Sequence, residues 1–265
     1  MKVAFFETEK WEKEYLEKHL QGFDLAFFNE KLSMEDVEKA SNANVLSIFT
    51  DSLIDNKIFL KLPNLKMIAT RSTGFDHIDL VFAKQYNIAV CNVPTYGENT
   101  VAEHTFGLIL NISRKIYKSI QSVKEKGFVQ DGLRGFDLKG KTIGIIGTGH
   151  IGSHVARIAN GFEMNVFAFD AKEDKKLAKK LNFKYVSFEE LLQSSDVITL
   201  HVPLNDHTKH LINSSNIHLI KKGAYLINTA RGGLIETAAL VKALQDGTLA
   251  GAGLDVLEEE CYIKE

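Results

Sequence analysis

The chain alternates, almost from end to end, between short apolar runs and longer amphipathic stretches. "KVAFFE" (2–7) reads as a strand and "EKWEKEYLEKHL" (9–20) as a helix. "DLAFF" (24–28), "NVLSIF" (44–49), "LKMIAT" (65–70) and "IAVCNV" (88–93) read as further strands with helical segments between them. Strands that are apolar on both faces and separated by helices call for a parallel sheet covered on two sides. A parallel connection has to cross over, and its helix lies on a sheet face. That pattern sets the class as α/β before any single residue is weighed.

The rhythm breaks at "VPTYGENTVAEHTFGLILNISRKIYKSIQSVKEKG". Pro94 and Gly97 open it, and a helix of more than twenty residues follows. "TVAE" (100–103) has the form of a capping box, with Thr100 accepting from the amide of Glu103 while Glu103 reaches back. A second αβ series begins at Lys141: "TIGIIG" (142–147), "NVFAFD" (165–170), "DVITLHV" (196–202), "GAYLINT" (223–229) and "AGAGLDV" (250–256). The division expected is two α/β domains, 1–97 and 98–265, joined by the long helix.

Composition narrows the partners. A length of 265 residues suffices for two domains with buried cores. The 32 basic and 34 acidic residues nearly cancel, which gives no reason to expect nucleic acid or an anionic membrane as partner. Cys91 and Cys261 have neither metal spacing nor a disulfide framework, which suits a reducing cytoplasm. The N-terminus turns charged too soon for a signal peptide, and no apolar run approaches membrane-spanning length. There is no H-E-x-x-H, C-x-x-C or G-x-S-x-G, so zinc and serine-hydrolase chemistry have no support and no metal is expected.

Gly147, Gly149 and Gly152 form G-x-G-x-x-G. Alone the pattern is weak, but here it follows the strand "TIGII" and opens the helix "HIGSHVARIANGF". An acid, Asp170, ends the next strand 18 residues after Gly152. Gly147 permits a tight turn, Gly149 lets backbone approach a pyrophosphate, and Gly152 lets helix pack on strand. The helix N-terminus offers unpaired amides and the positive end of its dipole to phosphates. Asp170 suits ribose hydroxyls and repels a 2′-phosphate, which favours NAD over NADP. An ordinary strand-turn-helix without ligand is the alternative.

A nicotinamide enzyme acting on an alcohol needs a base for the hydroxyl proton and a cation for a substrate carboxylate. Arg231, in "LINTARGGLIE" (226–236), stands between an apolar strand and two glycines, where such sheets bind ligands. Its planar fork suits a carboxylate, although an arginine at a helix start paired with Glu236 fits the local pattern equally. Glu258, Glu259 and Glu260 read on composition alone as a solvated loop. Of the nine histidines, His150 and His154 fall on the first turns of the glycine-motif helix, where His150 is within reach of a pyrophosphate. His104 lies on the connector; His201, His207 and His210 surround the loop "HVPLNDHTKH". None is marked by spacing as a base, and surface or structural roles fit them as well.

Six stretches occur in a familiar order: "ATRSTGFDHIDL", "NVPTYGENTVAEHTFGLIL", "KTIGIIGTGHIG", "SDVITLHVPL", "LINTARGGLIE" and "GAGLDVLEEE". Together they cover nearly the whole chain and resemble the D-isomer-specific 2-hydroxyacid dehydrogenases, and the tyrosine of "VPTY" is most like the D-lactate dehydrogenase branch. The resemblance implies a flavodoxin-like substrate-binding domain, a Rossmann domain holding NAD, and a site in the cleft between them. It implies hydride transfer between C2 of a D-2-hydroxy acid and the nicotinamide, with pyruvate and D-lactate the leading pair. It also implies a homodimer built on the helix from Thr100.

Residue by residue, the resemblance gives backbone amides of Thr73 and Gly74 to the substrate carboxylate and places Tyr96 along the substrate pocket. It brings His150 and Ile151, with Gly147, Gly149 and Gly152, to the pyrophosphate and Asp170 to the ribose. Val202, Pro203 and Thr208 are expected by the cofactor, as are Thr229 and Ala230 ahead of the catalytic Arg231. Asp255 is expected near the nicotinamide amide, and Glu260, five positions on, is the family's catalytic glutamate. The family's catalytic histidine stands later, in a "P-H" motif that these 265 residues do not contain, so the expectation includes a missing C-terminal segment. Alternatives within the resemblance are an NAD-responsive, co-repressor-like protein without turnover and a dehydrogenase for glycerate, phosphoglycerate or 2-hydroxyisocaproate.

Overall fold

The structure, a computed structural model, describes residues 1–259, so Glu260 and Cys261 lie outside the described residues. The chain divides into two compact units between Tyr96 and Gly97. In the first, β1 (Lys2–Phe5), α1 (Lys10–His19), β2 (Asp24–Phe27), β3 (Val45–Ile48), α2 (Asn56–Lys61), β4 (Met67–Thr70), α3 (Leu80–Gln85) and β5 (Ala89–Cys91) follow one another. All five strands run parallel in the order β2-β1-β3-β4-β5, the flavodoxin-like order. Ala4, Leu46, Ile48 and Ile68 are fully buried between the covering segments, as the two-sided apolar runs require.

The second unit opens with α4 (Glu98–Ser113) and α5 (Ile116–Lys126) and continues through β6 (Thr142–Ile146), α6 (His150–Gly161), β7 (Asn165–Phe169), α7 (Lys175–Lys180) and β8 (Lys184–Tyr185). It closes with α8 (Phe188–Ser194), β9 (Val197–Leu200), β10 (Ala224–Asn228), α9 (Thr237–Gln245) and β11 (Leu249–Leu254). Its six strands are parallel in the order β11-β10-β9-β6-β7-β8, so strand order reverses between β6 and β9. Alternate residues feed two cores. Ile143, Ile145, Val197 and Ile227 face α4 and α6, whereas Ile146, Ile198, Leu200 and Leu226 face the other layer. The fold class is the α/β, two-sheet parallel architecture read from the sequence.

Two local readings are corrected. The helix beyond Pro94 is interrupted: Arg114 closes α4, and Lys115 takes φ 56°, a left-handed conformation that no α-helix continues through. The cause is tertiary. Ser113 is fully buried, and its carbonyl accepts from the Phe136 amide at 3.0 Å, which gives that carbonyl a partner outside the helix. Nor do Thr100 and Glu103 cap anything. α4 begins at Glu98 with Gly97 as N-cap, so both sit inside the helix, and Glu103 accepts from the Asn99 side chain. The sequence reading also passed over β8, which is two residues long.

His201 follows β9 and lies on the face that carries Val197 and Thr199. The residue as a whole is half-buried, but its Nδ1 is buried without a hydrogen-bond partner among the described residues, and Nε2 meets Thr199 Oγ1 at 2.9 Å. Desolvation pushes its pKa down to about 3, from an ordinary 6.5.

Two outcomes are expected. Replacing Lys115 by glycine relieves the left-handed backbone and should raise the unfolding free energy by about 1 kcal/mol, while isoleucine should lower it by at least as much. Urea midpoints read both, and equal midpoints would mean that the break costs nothing. Between pH 6.5 and 3 an unfolded His201 binds a proton that the folded residue refuses. Its contribution is therefore full above pH 6.5 and declines as pH falls, by up to roughly 1.4 kcal/mol per pH unit. Unfolding at pH 7.5, 6 and 5 should show this slope in the parent protein and a flatter one in His201→Gln.

Candidate functional site

The carboxyl ends of the second sheet collect most of the residues singled out in the sequence. Helices α2, α3, α7 and α8 begin on Asp55, Asp79, Asp174 and Ser187, whose side chains accept first-turn amides. Helix α6 begins on Gly149, which has no side chain to offer. Its first-turn amides are left for another acceptor, and the helix dipole adds positive potential there.

The approach to that helix end is sterically tuned. Gly147 has φ 97°, and a Cβ on it would lie 2.6 Å from the His201 carbonyl oxygen and 2.8 Å from Val202 Cγ1. A Cβ on Gly152 would lie 1.9 Å from the Gly147 carbonyl oxygen, so only glycine lets α6 start this close to β6. A Cβ on Gly149 would meet nothing within 4 Å, which leaves open space over the N-cap. These features fit a dinucleotide phosphate. Ile151 is half-buried against the core beneath, and His150 is 74% exposed at the side-chain level.

Asp170 lies just past β7 and shapes the same turn. Its Oδ2 accepts from the Thr148 amide at 2.7 Å and from Thr148 Oγ1 at 3.0 Å, and its Oδ1 from the Lys172 amide at 2.9 Å. Burial opposes its ionised form, but these hydrogen bonds outweigh burial and hold the carboxyl below its ordinary range. The acid is thus ionised and fixed, with acceptor capacity remaining for a hydroxyl.

A second loop follows β10 and is built on Asn228, which is buried. Its Oδ1 accepts from the Ala230 amide at 3.0 Å and its Nδ2 donates to the Arg231 carbonyl at 2.8 Å, which curls residues 228–231 into a tight turn. Thr229 Oγ1 meets Thr105 Oγ1 of α4 at 3.0 Å. Arg231 is half-buried, in extended backbone, and its Nη1 donates to the Ala230 carbonyl at 2.8 Å. The Glu236 carboxylate accepts from the Ser214 amide at 2.7 Å.

Beyond β11, Asp255 donates its amide to the Asn228 carbonyl and pairs its carboxylate with His104 Nε2 at 3.2 Å. The loop from β9 is braced separately. Thr208 Oγ1 donates to the Pro203 carbonyl at 2.6 Å and accepts from the Asn205 amide, while Val202 packs on the core beside Gly147.

The acidic run departs from the solvated loop read from composition. Glu258 accepts from His210 Nε2, from the Thr237 amide at 3.1 Å and from Thr237 Oγ1 at 2.7 Å. The His210 hydrogen bond, followed by the Thr237 hydroxyl, lowers its pKa to about 2. Gly232 lies against this segment, since a Cβ on it would meet the Leu257 carbonyl at 2.0 Å. The chain leading into Glu260 therefore runs directly beside the residue that follows Arg231. Glu260 itself lies outside the described residues.

In the first unit, Thr73 and Gly74 stand after β4 and Tyr96 after β5, also at carboxyl ends of strands. Thr73 Oγ1 donates to the Val93 carbonyl at 3.1 Å and Asn92 Nδ2 to the Thr73 carbonyl at 2.8 Å, which ties the two loops together. Ser72 Oγ donates to the Gly74 carbonyl at 2.6 Å, and Tyr96 is exposed. Arg71 anchors the loop from beneath, donating to the Phe6 and Glu7 carbonyls at 3.0 and 2.6 Å.

Sequence reasoning missed Asn228, Thr148, Glu258 with His210, and Thr105. Asn228 alone carried a local signal: an asparagine ending an apolar strand two residues before a turn has the form of an Asx turn. The others act through partners distant in sequence. Among the described residues no group of three or more histidine, cysteine, aspartate or glutamate side chains is placed to hold a metal ion.

Residues 106–265 match the family described as the D-isomer specific 2-hydroxyacid dehydrogenase, NAD binding domain. The chain is 41% identical over 265 residues to a 2-hydroxyacid dehydrogenase homolog of Zymomonas mobilis, covering 98% of this chain and 80% of that one. It is 36% identical over 264 residues to the D-lactate dehydrogenase of Escherichia coli, with the same coverage of 98% and 80%. It superposes with a TM-score of 0.92 and 38% identity on the crystal structure of D-lactate dehydrogenase from Aquifex aeolicus complexed with NAD and lactic acid, across 99% of this chain and 79% of that one. With a glycine cradle fitted to a dinucleotide, an ionised acid fixed at the second strand, and this identity over nearly its whole length, the chain belongs to the D-isomer specific 2-hydroxyacid dehydrogenases, NAD-dependent oxidoreductases acting on a CH–OH group.

Proposed function

We propose that the protein is a D-lactate dehydrogenase that reduces pyruvate to D-lactate with NADH. The observation that carries the reading is the Arg231 turn. Asn228 fixes the Ala230 amide and the Arg231 carbonyl, and the turn stands at the carboxyl end of β10, between the loops after β9 and β11. Such a guanidinium suits a 2-keto acid, because one planar fork engages the carboxylate and the adjacent carbonyl together. The D-lactate dehydrogenases among its relatives, and Tyr96 in "VPTY", favour pyruvate over larger acids.

In this reading NAD supplies the hydride chemistry when bound. Gly147, Gly149, His150, Ile151 and Gly152 hold the diphosphate, and Asp170 accepts from the ribose hydroxyls. Val202, Pro203 and Thr208 line the cofactor from the β9 loop, and Thr229 and Ala230 do so from the β10 loop. Asp255, held by the Asn228 carbonyl and His104, orients the carboxamide. Arg231 aligns the acid and polarises its carbonyl. Thr73, Gly74 and Tyr96, in the unit assigned to substrate, bind the carboxylate and line the pocket. Glu260 is assigned the tuning of the imidazole that moves the hydroxyl proton, on the resemblance alone.

A homodimer accompanies the proposal. It is supported by α5, which exposes Ile116, Ile120 and Val123 on one stripe at 45, 50 and 50%, beside Tyr117 and Phe128. A cytoplasmic protein is proposed as well; no helix among the described residues is long and apolar enough to cross a membrane.

NADH oxidation with pyruvate, glyoxylate, hydroxypyruvate and 4-methyl-2-oxopentanoate tests the substrate: pyruvate should have the highest kcat/KM. NADH binding without turnover of any of them would leave a binding protein in place of the enzyme. Arg231→Lys should lower kcat/KM with pyruvate on the order of 10²-fold, because an ammonium cannot replace the fork. Asp170→Ala should weaken NADH binding about tenfold and narrow the preference over NADPH, as loss of a charged acceptor implies. An unchanged cofactor preference would remove Asp170 from that role.

A further inference from the structure

Among the described residues, Asp170 is held by neutral donors alone. Its Oδ2 accepts from the Thr148 amide and hydroxyl, and its Oδ1 from the Lys172 amide. No cation among the described residues neutralises it, although Lys172, Lys175 and Lys176 stand two, five and six positions on in the chain.

The Thr148 hydroxyl has a second partner. It meets the Tyr185 hydroxyl at 2.8 Å, and the Tyr185 oxygen accepts from the Asp174 amide at 3.1 Å. The direction of this chain follows by elimination. An ionised carboxylate only accepts, so the Thr148 proton goes to Asp170 Oδ2. Tyr185 must then donate to Thr148. An amide only donates, so Asp174 feeds the Tyr185 oxygen. Each O–H or N–H from Asp174 through Tyr185 and Thr148 to Asp170 points the same way, and each bond polarises the next.

The surrounding fold holds the chain in place. Strand β8 is two residues long, and its pairing of Lys184 with Phe167 and Tyr185 with Ala168 sets the Tyr185 backbone beside the end of β7. The Tyr185 ring meets Phe183 edge-on at 5.1 Å, and Thr148 is buried. Asp174 is fixed as well, because its side chain caps α7 through the Lys176 and Leu177 amides.

The choice of neutral donors has a chemical consequence. A carboxylate paired with lysine presents no net charge to a ligand; one held by hydroxyls and amides keeps all of it. With two donors on Oδ2 and one on Oδ1, the remaining lone pair of Asp170 is on Oδ1. A ribose hydroxyl donates there, whereas a 2′-phosphate meets an undiminished negative charge. Released from the chain, the acid is free to pair with a lysine of the 172–176 segment, and a neutralised acid no longer repels a phosphate.

We propose that Thr148 and Tyr185 are positioning residues that determine cofactor specificity: they hold Asp170 through hydroxyls, so that its charge stays unpaired and discriminates against a 2′-phosphorylated nicotinamide dinucleotide. This rests on the reading of Asp170 as the ribose acceptor. The competing account is a hydrogen-bonded tie that only fastens β8 and α7 to the sheet.

The test is fluorescence titration of the whole chain with NADH and with NADPH at pH 7.5. Tyr185→Phe, which keeps the ring, and Thr148→Val, which keeps the shape, should each weaken NADH about fivefold to tenfold, the scale of one hydrogen bond to a charged group. Neither should weaken NADPH, so the ratio of the two affinities narrows. Thr148→Ser retains the hydroxyl and should restore the parent ratio. With Asp170 already replaced by alanine, Tyr185→Phe should cost no further NADH affinity.

A parent-like ratio in Thr148→Val would overturn the proposal. So would equal losses for NADH and NADPH, or a full Tyr185→Phe loss on top of Asp170→Ala, since each marks a structural role. Should Tyr185→Phe fail to fold, the Thr148→Val and Thr148→Ser pair decides by the same readings. If Asp170→Ala narrows the preference while Thr148→Val does not, the ribose reading stands and this inference falls; if Asp170→Ala leaves the preference unchanged, both fall.

Discussion

Two missing methyl groups govern the second unit. The Gly147 carbonyl occupies the space a Cβ on Gly152 would take, and the His201 carbonyl crowds the corresponding point on Gly147. Because both contacts are backbone to backbone, no side-chain rearrangement relieves them. They set how near α6 begins to β6, and so where its open amides point. The Asp170 brace to Thr148, the fit of Val202 beside Gly147 and the reach of Glu98 to His150 all presuppose that distance. A ligand site of this kind is a by-product of close packing: the helix end is exposed because nothing larger than hydrogen fits beneath it.

The sheet was legible because its information is local. Nine of the described strands fall inside the apolar runs and β11 starts one residue ahead of its run, for the alternation of strand and helix depends on residues a few positions apart. The glycine turn was legible for the same reason, and so was Asp170, whose place is fixed by one strand's length. The break at Lys115 was not, since it follows from the Ser113 carbonyl bonding to Phe136, a partner outside the helical window. Thr100 and Glu103 misled because a capping box is a pattern that also occurs inside helices, and Gly97 had already started the turn.

The site residues divide along the same line. Arg231 could be proposed from its position, but what holds it, Asn228, shows its role only when both hydrogen bonds are seen. Glu258 shows the limit of composition. Three consecutive acids suggest solvent, yet its carboxylate joins the loop after β9, the start of α9 and the end of β11 through His210 and Thr237. The histidines show it again. The same residue type serves as a desolvated neutral ring at 201, a partner of Asp255 at 104 and a partner of Glu98 at 150, and only the surroundings distinguish them.

The left-handed residue at 115 separates two kinds of surface. In a continuous helix the direction a side chain faces is fixed by the position of every residue before it, at 3.6 residues per turn. Lys115 resets that phase. The residues of α4 that meet the sheet, among them Phe106 and Ile109, therefore place no constraint on which residues of α5 turn outward. The exposed stripe of Ile116, Ile120 and Val123 can change in sequence without disturbing the contacts of Thr105 with Thr229 and of His104 with Asp255. One residue with an unfavourable backbone thus lets the exposed stripe of α5 and the buried contacts of α4 be altered independently within a single stretch of chain.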